Sequence, residues 1–237
     1  MCCLEYQESD VAGWGRLSLG GRLDQVYRLL FAQYGPQHWW PAEAPFEVIV
    51  GAILTQSAAW VNVEKAIGNL KKAGALTPAA LRDMPQGELA GLIHPCGYYR
   101  AKAVKLKAFV EHLRAAHHDS LDSLFEPDIV RLREELLSVH GIGPETADSI
   151  ILYAARRPVF VIDAYTRRIL SRLGLSPAKD EYSAWQALFM ENLPANAGVF
   201  NEYHALLVRH GKEACKKAPL CTLCCLREAC RCPAQAT

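Results

Sequence analysis

The sequence predicts an all-α protein. Apolar residues recur at three- and four-residue spacing in run after run, and caps, glycines or prolines punctuate the runs at their ends. No segment shows a convincing alternation of apolar and polar residues. Pro158–Ile162 is the only β-like run, and it is short. The composition, 51% hydrophobic and 22% charged over 237 residues, is that of a globular protein with a sizeable core, long enough for one large domain or two modest ones.

Taken in order, residues 22–34 carry the spacing of an amphipathic helix, closed by Gly35-Pro36. An aromatic-rich connection, His38-Trp39-Trp40-Pro41-Ala42, follows. Residues 46–55 are nearly all apolar and predict a buried helix that ends at the polar Gln56-Ser57. Residues 62–72 form a helix stopped near Gly74. Thr77-Pro78 is an N-cap with proline at the first helical position and opens a short helix to about Arg82. A further short helix over 86–93 breaks at Pro95-Cys96-Gly97. A long basic helix spans 99–117, and Pro127-Asp128 starts the helix that leads into Ser138–Asp148, which reads SVHGIGPETAD.

That last stretch organises the chain. Leu136, Leu137 and Val139 end one helix, Gly141 and Gly143 make a turn too tight for side chains, and Pro144 opens a second helix. Such a hairpin leaves backbone N–H groups unpaired beside a helix start, which suits a phosphate; it is also how an ordinary αα-hairpin uses glycine as a stop. An apolar helix over 149–155, the run to Asp163 and a helix over 164–173 complete the region. Asp163 reads first as the N-cap of that helix.

Net charge is only +1, so whole-molecule attraction to nucleic acid is weak, but two segments are locally basic. Residues 100–118 carry Arg100, Lys102, Lys105, Lys107 and Arg114 against Glu111. Residues 209–232 carry Arg209, Lys212, Lys216, Lys217, Arg227 and Arg231 against Glu213 and Glu228. Either is a solvated helix face or part of a duplex footprint. The N-terminus lacks the features of a signal peptide and no apolar run is long enough to span a bilayer, which predicts a cytoplasmic protein in a reducing compartment with no membrane partner. Nine cysteines in that setting argue for a metal or cluster site rather than a disulfide scaffold. Cys215-x5-Cys221-x2-Cys224-x5-Cys230 suits a structural zinc or a 4Fe–4S cluster, and spacing alone leans to zinc.

With the hairpin, Asp163 and the cysteine run in place, roughly residues 22–232 resemble the helix-hairpin-helix DNA glycosylases of the endonuclease III superfamily. The pairing of Trp39-Trp40-Pro41-Ala42 with the hairpin stretch looks like its 3-methyladenine-type branch. The resemblance implies a six-helix barrel carrying the hairpin over residues 38–157. It implies a second, four-helix domain from 1–37 with 158–237, ending in the cluster loop, and a cleft between the two. It also implies a 4Fe–4S cluster on Cys215, Cys221, Cys224 and Cys230, with Cys225 and Cys232 as spare thiols.

The same resemblance implies site roles. Asp163 would be the catalytic carboxylate beside the sugar of a flipped nucleotide. His140, Gly141, Ile142, Gly143, Glu145 and Thr146 would grip the backbone of double-stranded DNA. Gln56 would fill the hole left by the flipped base and Tyr98 would wedge the opposite strand. Trp39 and Trp40 would line a base pocket, with Phe46, Trp60 and Tyr98 as further aromatic candidates, though each aromatic also suits a core. Glu145 is a departure: relatives that nick the strand have a lysine there, which attacks as an amine, and a carboxylate cannot form an imine. The implied function is therefore a monofunctional base-excision glycosylase acting, as a monomer, on a damaged base near the nucleoid. An oxidised-pyrimidine glycosylase with residual lyase action, and a non-catalytic damage-binding protein, are the alternatives; a redox-signalling role for the cluster stays open.

Overall fold

A computed structural model describes residues 14–231. Cys232 lies outside the described residues, as do both chain ends invoked in the domain reading. The described chain divides into two compact units, residues 40–157 and residues 14–39 with 158–231. Every regular element among the described residues is helical.

The 40–157 unit is built on α2 (Pro45–Thr55), buried along Phe46–Leu54 because almost every side chain on it is apolar. Around it pack α3 (Trp60–Lys72), α6 (Tyr99–His117), α9 (Pro144–Ser149) and a π-helical turn, Ile150–Ala154, that continues α9. Short helices α4 (Pro78–Asp83) and α5 (Gln86–Leu92) pack on α6; Thr77 caps α4 by accepting from the Ala80 N–H. α7 (Leu121–Phe125) is a single capped turn that the sequence pattern did not announce. α8 (Ile129–Ser138) starts at Asp128, whose carboxylate accepts from the Arg131 N–H, and runs into the hairpin.

The three lysines of α6 correct the reading of a basic solvent face. Lys102 is buried and its ammonium donates to the carbonyls of Leu54 and Cys96, both at 2.9 Å. Lys107 donates to the carbonyls of Leu81, Arg82 and Met84, and Lys105 turns to Gln56. The Lys102 and Lys107 ammoniums satisfy backbone carbonyls at helix ends and Lys105 a side-chain amide, so Arg100 and Arg114 are the exposed cations of this helix. Burial pushes the Lys102 ammonium below its ordinary value.

The other unit holds α1 (Leu19–Tyr34), α10 (Ala164–Arg172), α11 (Tyr182–Met190) and α12 (Ala197–Glu213); α12 packs on α10 and α1. α11 and α12 were not identified from the sequence. The apolar run Pro158–Ile162 has no regular structure and pairs with no strand among the described residues. Its backbone is satisfied by side chains of α11: Gln186 Nε2 donates to the Phe160 carbonyl at 2.7 Å, and the Ile162 N–H donates to the Tyr182 hydroxyl at 3.2 Å. Phe160 stacks on Phe189 with ring centroids 3.6 Å apart, and buried Tyr203 closes the same cluster while donating its hydroxyl to the Leu23 carbonyl.

Arg133 of α8 and fully buried Asp148 of α9 form a two-point ion pair, 2.7 Å at Nε–Oδ1 and 3.3 Å at Nη2–Oδ2, across the base of the hairpin. Removing one partner of a buried pair costs about 3–5 kcal/mol, and less where the survivor reaches water. Arg133 does, so Asp148→Ala should lose roughly 2–3 kcal/mol in a denaturant titration. Asp148→Asn, which keeps the shape and an acceptor, should lose less.

Candidate functional site

The hairpin is assembled from three directions. Val139 ends α8, the Ile142 N–H donates back to the Val139 carbonyl at 3.1 Å, and Gly141 sits at φ +86°. A Cβ on Gly141 would lie 2.3 Å from Lys105 Cγ, so glycine is required both by backbone conformation and by the lysine stem laid over it. Ile142 and Thr146 are buried and anchor the turn, whereas His140 and Glu145 are exposed. Gly143 is extended and leads into Pro144, the first residue of α9.

Gln56, at the end of α2, ties this turn down. Its Nε2 donates to the Gly141 carbonyl at 3.0 Å and to Thr146 Oγ1 at 2.9 Å, while its Oε1 accepts from Lys105 Nζ at 2.5 Å. The side chain expected to fill a vacated base position is thus engaged at both ends of its amide, with the hairpin through Nε2 and with α6 through Oε1. Ser57 follows at φ +52°. Tyr98, the expected wedge, also has a left-handed backbone at φ +45° and is 75% exposed, a costly arrangement for a large aromatic residue that presents its ring to solvent.

The structure separates the two tryptophans by unit. Trp40 belongs to the 40–157 unit, in an aromatic cluster with Trp60 (centroids 5.0 Å, edge-on) and Tyr153 (5.2 Å). Trp60 donates its indole N–H to Glu64, and Gly51 clears the floor, since a Cβ there would stand 3.0 Å from the Trp40 ring. Trp39 belongs to the other unit, with Lys212 Nζ 5.9 Å from its ring centre. Phe46 is buried in the core. Tyr153 had escaped notice because it lies in an apolar helical run.

Asp163 caps α10, its Oδ1 accepting from the Thr166 N–H at 2.7 Å. Its Oδ2 lies 3.7 Å from Nε2 of His204, a residue of α12 that the sequence reading did not single out. The carboxylate is therefore fixed by one oxygen and faces an imidazole with the other. Burial pushes the His204 imidazole below its ordinary 6.5, partly opposed by the Asp163 charge.

Cys215, Cys221, Cys224, Cys225 and Cys230 all lie in the segment that follows α12. Arg172 of α10 organises the loop: its guanidinium donates to Cys215 Sγ at 3.2 Å and to the carbonyls of Lys216 and Lys217, and its own carbonyl accepts from the Arg231 N–H. Arg168 donates to the carbonyls of Cys215 and Gly211. Burial pushes the Cys224 thiol up to about 11, helped by the nearby Cys225, Cys215 and Cys230 sulfurs. Cys215, Cys221, Cys224 and Cys230 supply four soft sulfur donors in a loop braced by Arg168 and Arg172, the donor chemistry of an iron–sulfur or zinc centre.

Residues 50–195 match the model of the HhH-GPD superfamily of base excision DNA repair proteins. The chain is 44% identical over 207 residues to a protein of Methanocaldococcus jannaschii assigned, by inference, as a DNA repair glycosylase, covering 87% of this chain and 94% of that one. It is 29% identical over 188 residues to endonuclease III of Sulfolobus acidocaldarius, covering 78% and 81%. Among solved structures, the 3-methyladenine DNA glycosylase MagIII of H. pylori, bound to 1,N6-ethenoadenine, superposes with a TM-score of 0.72 at 26% identity, covering 83% of this chain and 98% of that one.

The buried imidazole gives a pH dependence with a definite sign. His204 is neutral in the fold, and the unfolded chain takes up its proton as pH falls below 6.5. The stability it supports is complete above that pH and is lost toward the depressed value. Thermal midpoints should be flat above pH 6.5 and fall below it, with a shallower fall in His204→Asn. Equal slopes in the two proteins would contradict the assignment.

Proposed function

Because the chain belongs to the HhH-GPD superfamily of base excision DNA repair proteins and is an enzyme of the DNA glycosylase type, we propose that it removes a damaged purine by hydrolysis, without strand cleavage. The observation that carries this reading is that Asp163 is a rigid, capped carboxylate while position 145, in the first turn of α9, holds an acid rather than an amine. As the N-glycosidic bond lengthens, positive charge grows on the deoxyribose. Asp163 stabilises that charge and takes a proton from the attacking water. The water oxygen bonds to the sugar carbon, the bond electrons leave with the base, and an abasic site remains.

A cationic alkylated purine is already a good leaving group and needs chiefly a π-rich surface. Trp40, Trp60 and Tyr153 supply one, and the likeness to MagIII bound to 1,N6-ethenoadenine supports modified purines as the substrate class. Double-stranded DNA is the partner, its backbone held by the hairpin from Val139 to Thr146 and by the exposed cations Lys216, Lys217 and Arg227. Cys215, Cys221, Cys224 and Cys230 would hold a 4Fe–4S cluster, which when bound orders the loop and can carry an electron.

The test is a duplex panel bearing 3-methyladenine, 1,N6-ethenoadenine, thymine glycol or an abasic site, with and without hot alkali and borohydride. Strand breaks at the modified purines should require alkali, with no trapped adduct, and Asp163→Asn should lose roughly 10²–10⁴-fold in rate, the range of a positioned acid–base group. Glu145→Lys should gain a borohydride-trapped adduct. A second reading, an endonuclease III-type activity with residual lyase action, rests on Lys105, an amine held against the hairpin beside Gln56. Wild-type adduct that disappears in Lys105→Ala would select it.

A further inference from the structure

On the face of the 40–157 unit where α6 meets α8, three potential metal ligands converge. His112 Nε2 lies 2.8 Å from Glu135 Oε1, and His117 Nε2 contacts the same oxygen. One donor atom from each residue lies within 4.8 Å of the others. The two rings are tilted with centroids 6.0 Å apart, so both present their Nε2 edges to one point rather than stacking.

The surroundings are those of a ligand set. His117 is nearly buried, and its Nδ1 is hydrogen-bonded to Ser123 Oγ at 3.0 Å, which fixes the ring and directs Nε2 at Glu135. Metal-binding histidines are commonly oriented through their second nitrogen in this way. His112 and Glu135 each keep about a quarter of their side-chain surface, leaving an open side for a fourth, water ligand. Nothing in base excision draws on these residues.

We propose that His112, His117 and Glu135 form a divalent metal site, best suited to Zn²⁺, that joins α6 to α8. Two imidazoles and one carboxylate select a borderline transition ion over Mg²⁺ or Ca²⁺, which prefer oxygen alone. Accommodating the ion requires the donors to move apart slightly, replacing two hydrogen bonds to one carboxylate oxygen with three coordinate bonds. The ion would sit one helical turn before the hairpin, where the Glu135 carbonyl already accepts from Ser138 Oγ at 2.6 Å. It would therefore stiffen the segment leading into Val139–Gly143.

The test uses the full chain with its cysteine loop loaded with iron, so that zinc is not diverted to the thiols. Zinc chloride is titrated calorimetrically into wild type, His112→Ala and Ser123→Ala, and the bound zinc is examined by K-edge absorption. Wild type should bind one equivalent, with nitrogen and oxygen neighbours at about 2.0–2.2 Å and no sulfur shell near about 2.3 Å. His112→Ala, at a partly exposed helical position where alanine keeps the fold, should weaken binding by at least about 100-fold. Ser123→Ala, which only frees the His117 ring, should weaken it by about 10–100-fold. No bound zinc, a sulfur shell, or unchanged binding in His112→Ala would overturn the proposal.

Discussion

One side-chain amide holds the hairpin of this molecule together. Gln56 leaves the end of buried α2, donates to the hairpin at Gly141 and to α9 at Thr146, and accepts from Lys105 of α6. Three helices and a turn thus meet on one planar group. The glycine at 141 follows from this: the turn needs a positive φ, and the Lys105 stem that reaches Gln56 occupies the space a Cβ would take. The Arg133–Asp148 pair closes the same turn from below. A turn braced on both sides is held in one conformation, so the proposed grip on a phosphate backbone would carry no further ordering cost.

The same economy governs Asp163. A carboxylate that caps a helix is held by the backbone it caps, so one residue serves both the start of α10 and the proposed chemistry. His204 sits against the second oxygen in a region sealed by Phe160, Phe189 and Tyr203. The apolar seal keeps the imidazole neutral, and neutral imidazole leaves the negative charge of Asp163 in place.

Legibility followed the range of the forces. The hairpin, the caps at Thr77, Asp128 and Asp163, and the breaks at glycine and proline have local causes and stand in the sequence. Helix α12 was legible but overlooked: Asn196 caps it, and Phe200, Tyr203 and Leu207 keep helical spacing. The lysines of α6 could not be assigned, because a lysine on a helix reads as solvated until its acceptor is known, and Leu54 and Leu81 lie far away in sequence. His204, Tyr153 and the Glu135 cluster were hidden for the same reason: each gains meaning only from a neighbour that folding supplies.

The most direct measurement is duplex affinity of Gln56→Ala, for undamaged DNA and for DNA with an abasic-site analogue, after confirming that the variant melts as a folded protein. Losing two hydrogen bonds that fix the hairpin, at about 1 kcal/mol each, should weaken both duplexes alike by roughly 10–30-fold. A loss confined to the abasic-site duplex would mean that Gln56 acts only as a plug for the vacated position, and the account of a hairpin preassembled by this amide would be wrong.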